Sequence, residues 1–174
     1  ALTVFTETKR LFVEDHGVDA WGRLGEAYFA AHPMFHPEIN ANGALFADYL
    51  KALTDDDDFD DIYGELADFE WWEWYTAVQP DVSLEGTGLR ISPLADIRSY
   101  GYDFVAWWKT ERTVRPPARE VLVVFWRDRD GDTRRERVSA RELAIVRMVH
   151  TGEAVPADWQ ETLDDLIAAG IVLA

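Results

Sequence analysis

Histidine and carboxylate residues that could bind a metal ion lie close together near residue 35. His32 and His36 are four residues apart, the spacing by which one helical face presents two imidazoles, and Glu38 follows them. Pro33 and Pro37 come directly after the two histidines, and proline disfavours helical geometry in the residue before it. A structural turn is therefore the favoured interpretation, and we predict no metal site in this chain.

Acidic residues offer two further kinds of chemistry. The acidic run from Asp55 to Asp61 provides oxygen ligands for calcium, but the glycine and final glutamate of an EF-hand loop do not follow. A solvated loop is favoured, because acids before a helix interact well with its N-terminus. Asp68, Glu70 and Glu73 could act as general acids or bases, yet their aromatic neighbours are typical of a protein interface.

Several classes of chemistry are excluded by composition or lack a recognisable motif. The chain has no cysteine, which excludes disulfides, thiolate metal sites and a cysteine nucleophile. No serine-histidine-acid set, P-loop or dinucleotide fingerprint is found. We therefore predict a protein that is not an enzyme and holds no cofactor of its own.

Length and charge limit which classes of protein the chain can belong to. With 174 residues and 48% apolar content, the chain is expected to fold as one domain or two small ones. Its formal charge of −16 repels nucleic acid phosphates. The segment from Lys109 to Arg141, however, contains ten basic and six acidic residues, which suits an acidic partner that is not a polyanion.

Without an apolar run of roughly 20 residues or a signal sequence, we expect a cytoplasmic protein without membrane contact.

Apolar periodicity predicts that the first half of the chain is helical. The four predicted helices are an opening helix with Phe5, Leu11 and Phe12, a second with Trp21, Leu24, Tyr28 and Phe29 that ends at Pro33, a third from about Ala44 to Leu53, and a fourth from about Asp60 to Val78. The fourth helix carries more aromatic residues than one core face needs. We predict that it forms a partner interface through Asp68, Glu70, Trp71, Trp74 and Tyr75.

A polar passage with glycines from Gln79 to Gly88 is the predicted linker, because proline and glycine interrupt any period there. The predicted domains are residues 1–85, a helical partner-docking domain, and residues 86–174. In the second domain we predict extended segments at Leu89 to Ile91 and Ala95 to Ile97, and a short helix from Tyr102 to Lys109.

The last third of the chain has the element order of a small winged helix. An apolar strand from Val121 to Trp126 leads through an Asp130-Gly131 turn into a second strand, Thr133 to Val138. Two helices follow. The first has a predicted capping box at Ser139 to Glu142, and the second has a predicted start at Asp158 to Glu161 and a left-handed glycine cap at Gly170. The whole chain is therefore predicted to be α+β, a helical bundle followed by a winged-helix-like module with a short antiparallel sheet.

The second strand of this hairpin is predicted to be a sheet edge that binds a peptide. It carries three arginines and only Val138 is clearly apolar, so it is not a central strand. An edge strand can receive a peptide as an added strand, and the helix that follows could provide a groove. The predicted peptide-binding residues are Arg134, Arg135, Glu136, Arg137, Val138, Trp159, Leu163, Leu166 and Ile167. The alternative is that the arginines only prevent unwanted strand pairing.

A winged helix could instead be a DNA-binding transcriptional regulator. The helix from Ser139 to His150 has only Arg141 and Arg147 as basic residues, and the last helix carries Glu161, Asp164 and Asp165. Neither composition is typical of a recognition helix, and the acidic body opposes a duplex. DNA binding is kept as the alternative function.

Six segments resemble, in order and spacing, the HvfC/BufC-like proteins, which include the TglI-like proteins. They are Leu24 to Pro33, Asn42 to Leu50, Glu65 to Trp71, Ile91 to Ala95, Val121 to Arg127 and Ser139 to Glu142. The resemblance covers about Gly25 to Ala174. The acidic run at Asp55 is stronger than the family pattern.

The resemblance implies a partner subunit of a multinuclear non-haem iron oxidase that modifies a ribosomally made peptide. It also implies that the last third is a PqqD-like peptide-recognition element, which holds the leader of the precursor as an added strand. The iron would then lie on the oxidase. We therefore expect a heterodimer with the oxidase, a precursor peptide as ligand, and no nucleic acid partner.

Overall fold

The computed structural model describes residues 3–53, 59–82 and 85–174. In these residues the chain forms seven α-helices and five β-strands, which confirms the predicted α+β class. The chain divides into two compact units, Ala1–Trp74 and Tyr75–Ala174. The division predicted after residue 85 concerns independently folding domains and stays a prediction.

The first unit is helical, as predicted. Its helices are α1 (Thr6–His16), α2 (Val18–Ala31), α3 (Phe46–Leu53) and α4 (Ile62–Val78), of which the last enters the second unit at Tyr75. Gly17 separates α1 from α2 with a φ of +86°, a conformation that favours glycine. Helix α2 ends at Ala31, just ahead of Pro33, because a residue that precedes proline avoids helical geometry.

Aromatic side chains fill the core of this unit. The ring of Phe46 on α3 lies 4.7 Å from Phe5 and 5.0 Å from Tyr28, between centroids, so one side chain joins three segments. Phe12 on α1 meets Tyr63 on α4 edge to face at 5.2 Å. Such pairs contribute about 0.5–1.5 kcal/mol each beyond their buried area.

A buried asparagine organises the connection between α2 and α3. The Oδ1 atom of Asn42 accepts hydrogen bonds from the backbone N–H groups of Phe35 (2.8 Å) and His36 (3.0 Å). Its Nδ2 atom donates to the carbonyls of His36 and Glu38 at 2.8 and 3.1 Å. These bonds fix a turn here, as predicted, and His36 lies outside any helix. The predicted acidic loop at Asp55 to Asp58 lies outside the described residues.

The second unit is built on two small antiparallel sheets. Strands β2 (Asp96–Tyr102), β3 (Ala118–Arg127) and β4 (Thr133–Arg137) form a three-stranded sheet in the order β2-β3-β4. Strand β1 (Arg90–Ile91) pairs with β5 (Val172–Leu173) in a separate two-stranded sheet. The hairpin between β3 and β4 turns at Gly131, whose φ of +88° is the conformation expected of the predicted Asp-Gly turn.

Three helices belong to this unit: α5 (Phe104–Trp108), α6 (Ala140–Thr151) and α7 (Gln160–Ala169). The capping box predicted at Ser139 is present, and Gly170 adopts the predicted left-handed cap. The helix start predicted between Asp158 and Glu161 is confirmed, because α7 begins inside that segment. Residues 157–159 form a 3-10 turn, which moves the first residue of α7 to Gln160 and leaves Trp159 as an N-cap without a side-chain hydrogen bond.

One face of the larger sheet packs against α6 and α7 to form the core of the second unit. The buried members of this core are Val124, Trp126, Ile145, Val149, Leu163, Leu166, Ile171 and Val172. The indole of Trp126 donates a 2.9 Å hydrogen bond to the carbonyl of Ala169, which fixes the end of α7 against the sheet. The helices thereby cover the second half of β3 from one side.

Across residues 3–53, 59–82 and 85–174, no helix combines the length and the apolar character that crossing a membrane would require.

Candidate functional site

Strand β4 is the outer strand of the three-stranded sheet, as predicted. In the described residues its strand neighbour is β3, with a register that runs from Val123 opposite Arg137 to Arg127 opposite Thr133. An edge strand leaves one row of its backbone groups directed away from the sheet. The candidate site is therefore the outer side of β4.

The register identifies which backbone groups of β4 point outward. The N–H of Val138, just after the strand, donates to the carbonyl of Leu122 at 2.8 Å, so this residue faces β3. In an antiparallel pair the N–H and C=O of one residue point to the same side, and successive residues alternate. The backbone groups of Thr133, Arg135 and Arg137 therefore point away from β3, at a spacing of roughly 7 Å between alternate residues.

A buried aspartate anchors the end of this strand. Both carboxylate oxygens of Asp103 accept hydrogen bonds from Arg137, at 3.0 Å from Nε to Oδ1 and 2.7 Å from Nη2 to Oδ2. Oδ1 also accepts the N–H of Ala106 at 3.0 Å and so caps α5. Arg137, predicted to contact a peptide, is thus an internal anchor of the strand.

Asp103 was not predicted as a functional residue, although the sequence contains a sign of its role. Aspartate is favoured at the position directly before a helix, and Asp103 precedes the residues Phe104 to Trp108. Its pairing with Arg137, 34 positions along the chain, is a tertiary contact that local patterns do not reveal.

The two other arginines of β4 also make contacts within the second unit. Arg134 binds Asp128 at 2.8 Å and Asp132 at 3.1 Å, and its hydrogen bond holds the pKa of Asp128 below its ordinary value. The guanidinium of Arg135 lies over the ring of Trp108, 5.4 Å from its centroid. These contacts stiffen the strand. They are also compatible with the alternative that the arginines only prevent unwanted strand pairing.

Helix α6 provides the wall beside β4. A crevice of about 30 Å³ is lined by Glu136, Arg137 and Val138 from the strand side and by Glu142 and Val146 from α6. Deeper lining residues, which include Ile97 and Val124, also line an adjoining hollow of about 250 Å³. Side chains of a strand added to β4 would therefore meet α6 first.

The predicted peptide-binding residues of α7 are more deeply buried than those of β4. Leu163 and Leu166 are only 3% and 5% exposed and belong to the core under the sheet. Trp159 and Ile167 are half-buried against the same core, and Leu166 also reaches the crevice. The α7 residues thus support the sheet, and Leu166 lines the crevice together with Glu142 and Val146 of α6, which the sequence did not indicate.

The residues of the predicted partner interface on α4 differ in how deeply they are buried. Asp68 lies 3.7 Å from Lys51, between Oδ1 and Nζ, and both Asp68 and Glu70 are buried. Trp71 and Trp74 are half-buried with their rings 6.3 Å apart, and Tyr75, in the second unit, is exposed. The interface stays a prediction, with aromatic residues as its accessible part.

Glu70 has a structural role in the first unit. Its carboxylate accepts hydrogen bonds from the backbone N–H groups of Glu7 and Thr8, at 2.7 and 3.0 Å, and from the Thr8 hydroxyl at 2.7 Å. These N–H groups lie in the first turn of α1, which has no cap from its own sequence. Burial raises the pKa of Glu70 to about 7.

Neither histidine of the sequence motif belongs to a metal cluster in the part of the chain that the structure describes, where no group of three or more potential ligands occurs. The Nδ1 atom of His36 accepts the N–H of Glu38 at 3.0 Å. The ring of His32 packs on Tyr28 and Tyr49.

The sequence matches no protein-family model and no curated protein.

Proposed function

We propose that this chain is the non-catalytic partner subunit of an iron-dependent oxidase that modifies a ribosomally made peptide. Its second unit binds the leader of the precursor as a strand added to β4, and its first unit docks the oxidase, which holds the iron. The observation that carries the proposal is the outward row of backbone groups on β4 beside a crevice lined by α6.

Strand addition accounts for the features of this edge. A peptide alongside β4 pairs with the backbone groups of Thr133, Arg135 and Arg137, which gives affinity without dependence on sequence. Alternate side chains of the peptide contact Val138 and Val146 at the mouth of the crevice, whose volume of about 30 Å³ admits only a small group, and this contact gives specificity. Because Arg137 is held by Asp103, the strand is already ordered, and less entropy is lost on binding.

The order of elements supports a winged-helix module of the PqqD-like kind. The hairpin of β3 and β4 is followed directly by α6 and then by α7, and the sheet packs on both helices. In the proposal, the hairpin is the wing and its outer strand is the peptide receptor.

Single prolines on β4 test the proposal, because proline removes one N–H group. Arg135→Pro removes an outward N–H and should leave the pairing with β3 intact. We expect this variant to keep its circular dichroism spectrum and to bind a fluorescent leader peptide at least about tenfold more weakly, as expected for loss of a central hydrogen bond and distortion of the added strand.

Glu136→Pro is the matched control, because its N–H points toward β3. This variant should lose thermal stability, since the proline breaks a ladder bond within the protein. Val138→Pro also breaks a bond to β3, because the N–H of Val138 donates to Leu122, so this variant does not test peptide binding alone. Unchanged leader affinity in a folded Arg135→Pro variant would contradict the proposed site.

A further inference from the structure

The first unit contains an apolar groove that its own side chains do not fill. It has a volume of about 660 Å³, opens to solvent, and lies among α1, α2 and α3. Half of its lining residues are aromatic, and they include Phe5, Trp21, Phe29 and Phe46. A groove of this size is in the range that accommodates a ligand or the side chains of a docked helix.

Two glycines keep one side of this groove open. Gly22 and Gly25 lie inside α2, where glycine is less favourable than every residue except proline. A Cβ atom at either position would meet nothing within 4 Å beyond its chain neighbours and the backbone of its own helix, and neither glycine has a positive φ. Thus neither internal packing nor backbone geometry requires glycine here, and both residues allow an occupant to approach the α2 backbone closely.

The formal charge of the whole first unit favours a cationic occupant. Residues 1–74 contain 17 acidic and four basic residues, a formal charge of −13. Glu26 and Lys9 line the groove as its charged residues. Nucleic acids and anionic lipid surfaces are repelled by this charge, whereas a protein segment with lysine or arginine at its flanks is attracted.

We propose that this groove docks an amphipathic helix of a protein partner, with apolar side chains against Trp21, Gly25 and Phe29 and basic side chains at the flanks. These three residues are spaced by four along α2 and extend over about 12 Å, close to two turns of a docked helix. Small residues at a contact allow two helix axes to come closer together. The inference rests on the proposed function in one respect: the protein that carries this helix is the oxidase subunit.

A designed helical peptide tests the groove directly. The probe is a labelled peptide with leucines at positions i, i+4 and i+7 and lysines beside them, compared with a peptide in which glutamates replace the lysines. We expect the lysine peptide to bind at least about tenfold more tightly, because both share one apolar face and differ only in charge. Gly25→Leu should fill the groove, abolish binding of the lysine peptide, and leave the melting temperature equal or higher.

Ala27→Leu is the matched control, since Ala27 is an exposed residue of α2 outside the groove. This variant should bind the lysine peptide as the natural protein does. Equal binding of the two peptides, no binding of either, or binding that survives Gly25→Leu would overturn the proposal. Displacement of the lysine peptide by dodecanoate at stoichiometric concentration would assign the groove to a small amphiphile and also overturn it.

Binding of the leader peptide distinguishes a failure of this inference from a failure of the proposed function. Gly25→Leu should leave the affinity for the leader peptide unchanged, because the groove lies in the first unit. If the leader fails to bind while the lysine peptide binds in a manner sensitive to Gly25→Leu, the proposed function fails and the groove assignment stands.

Discussion

At the residue scale, buried carboxylates connect distant parts of each unit. Glu70 on α4 caps α1 in the first unit, and Asp103 joins α5 to β4 in the second. A buried carboxylate is stable only when hydrogen bonds or an opposite charge compensate for the loss of water. Backbone N–H groups and the Thr8 hydroxyl compensate Glu70, whereas the charge of Arg137 compensates Asp103.

Glu70 should make the first unit more stable in mild acid. Burial raises its pKa from 4.5 to about 7, so between these values the folded state holds a proton that the unfolded state releases. Its contribution is complete below pH 4.5 and is lost as the pH rises through about 7. Over that range the loss is at most about 3 kcal/mol.

Urea unfolding at pH 5.5 and pH 8, followed by circular dichroism, measures this effect. Glu70→Gln should remove the difference between the two pH values that is due to this group, whereas Asp48→Asn, an exposed acid on α3, should not. The same pH dependence in natural and Glu70→Gln proteins would contradict the assignment.

Asp103→Ala should destabilise the second unit by about 3 kcal/mol, because the substitution removes both the cap of α5 and the charge partner of Arg137. Asp103→Asn keeps a capping side chain and should therefore be less damaging. Thermal unfolding of the two variants provides the comparison. Equal stability of the alanine and asparagine variants would show that the cap contributes nothing.

At the element scale, the edge position of β4 and the beginning of α6 define the candidate site. The sequence was sufficient for the Asp130-Gly131 turn and the capping box at Ser139, because both are local patterns. It was not sufficient for the pairing of β1 with β5, since two-residue strands have no recognisable period and their partners are distant in the chain.

The sequence also did not show which helix lies beside β4. The stripe of Trp159, Leu163, Leu166 and Ile167 was apolar enough to serve either as a groove or as a core. Leu163 and Leu166 lie in the core and Leu166 also lines the crevice, so the peptide-binding role of this stripe stays a prediction. Likewise, composition alone did not reveal that Asp68 and Glu70 face inward, because their partners come from α3 and α1.

The capping box of α6 should contribute to the stability of this site. The Ser139 hydroxyl accepts the N–H of Glu142 at 3.2 Å, and the Glu142 carboxylate accepts the N–H of Ser139 at 2.7 Å. Ser139→Ala should lower the free energy of unfolding by about 1 kcal/mol, while Ser139→Asp retains a cap and stays close to the natural value. Chemical denaturation checks both, and an alanine variant as stable as the aspartate variant would contradict the capping role.

At the scale of the whole molecule, charge separates the proposed function from DNA binding. The chain carries −16, of which −13 lies in residues 1–74. A winged helix that bound DNA would show duplex affinity that falls steeply with salt. We expect no retention on immobilised duplex DNA or heparin even at low salt, and salt-sensitive retention would instead favour the regulator.

The outward amides of β4 provide the most direct test of the central claim that this strand receives a peptide. Hydrogen exchange measured by NMR, with and without the leader peptide, resolves the amides of Arg135 and Arg137 from those of Arg134 and Glu136. We predict that exchange of the two outward amides slows by at least about tenfold on binding, while the two inward amides change little. A leader peptide that binds while the outward amides exchange at unchanged rates would contradict the account.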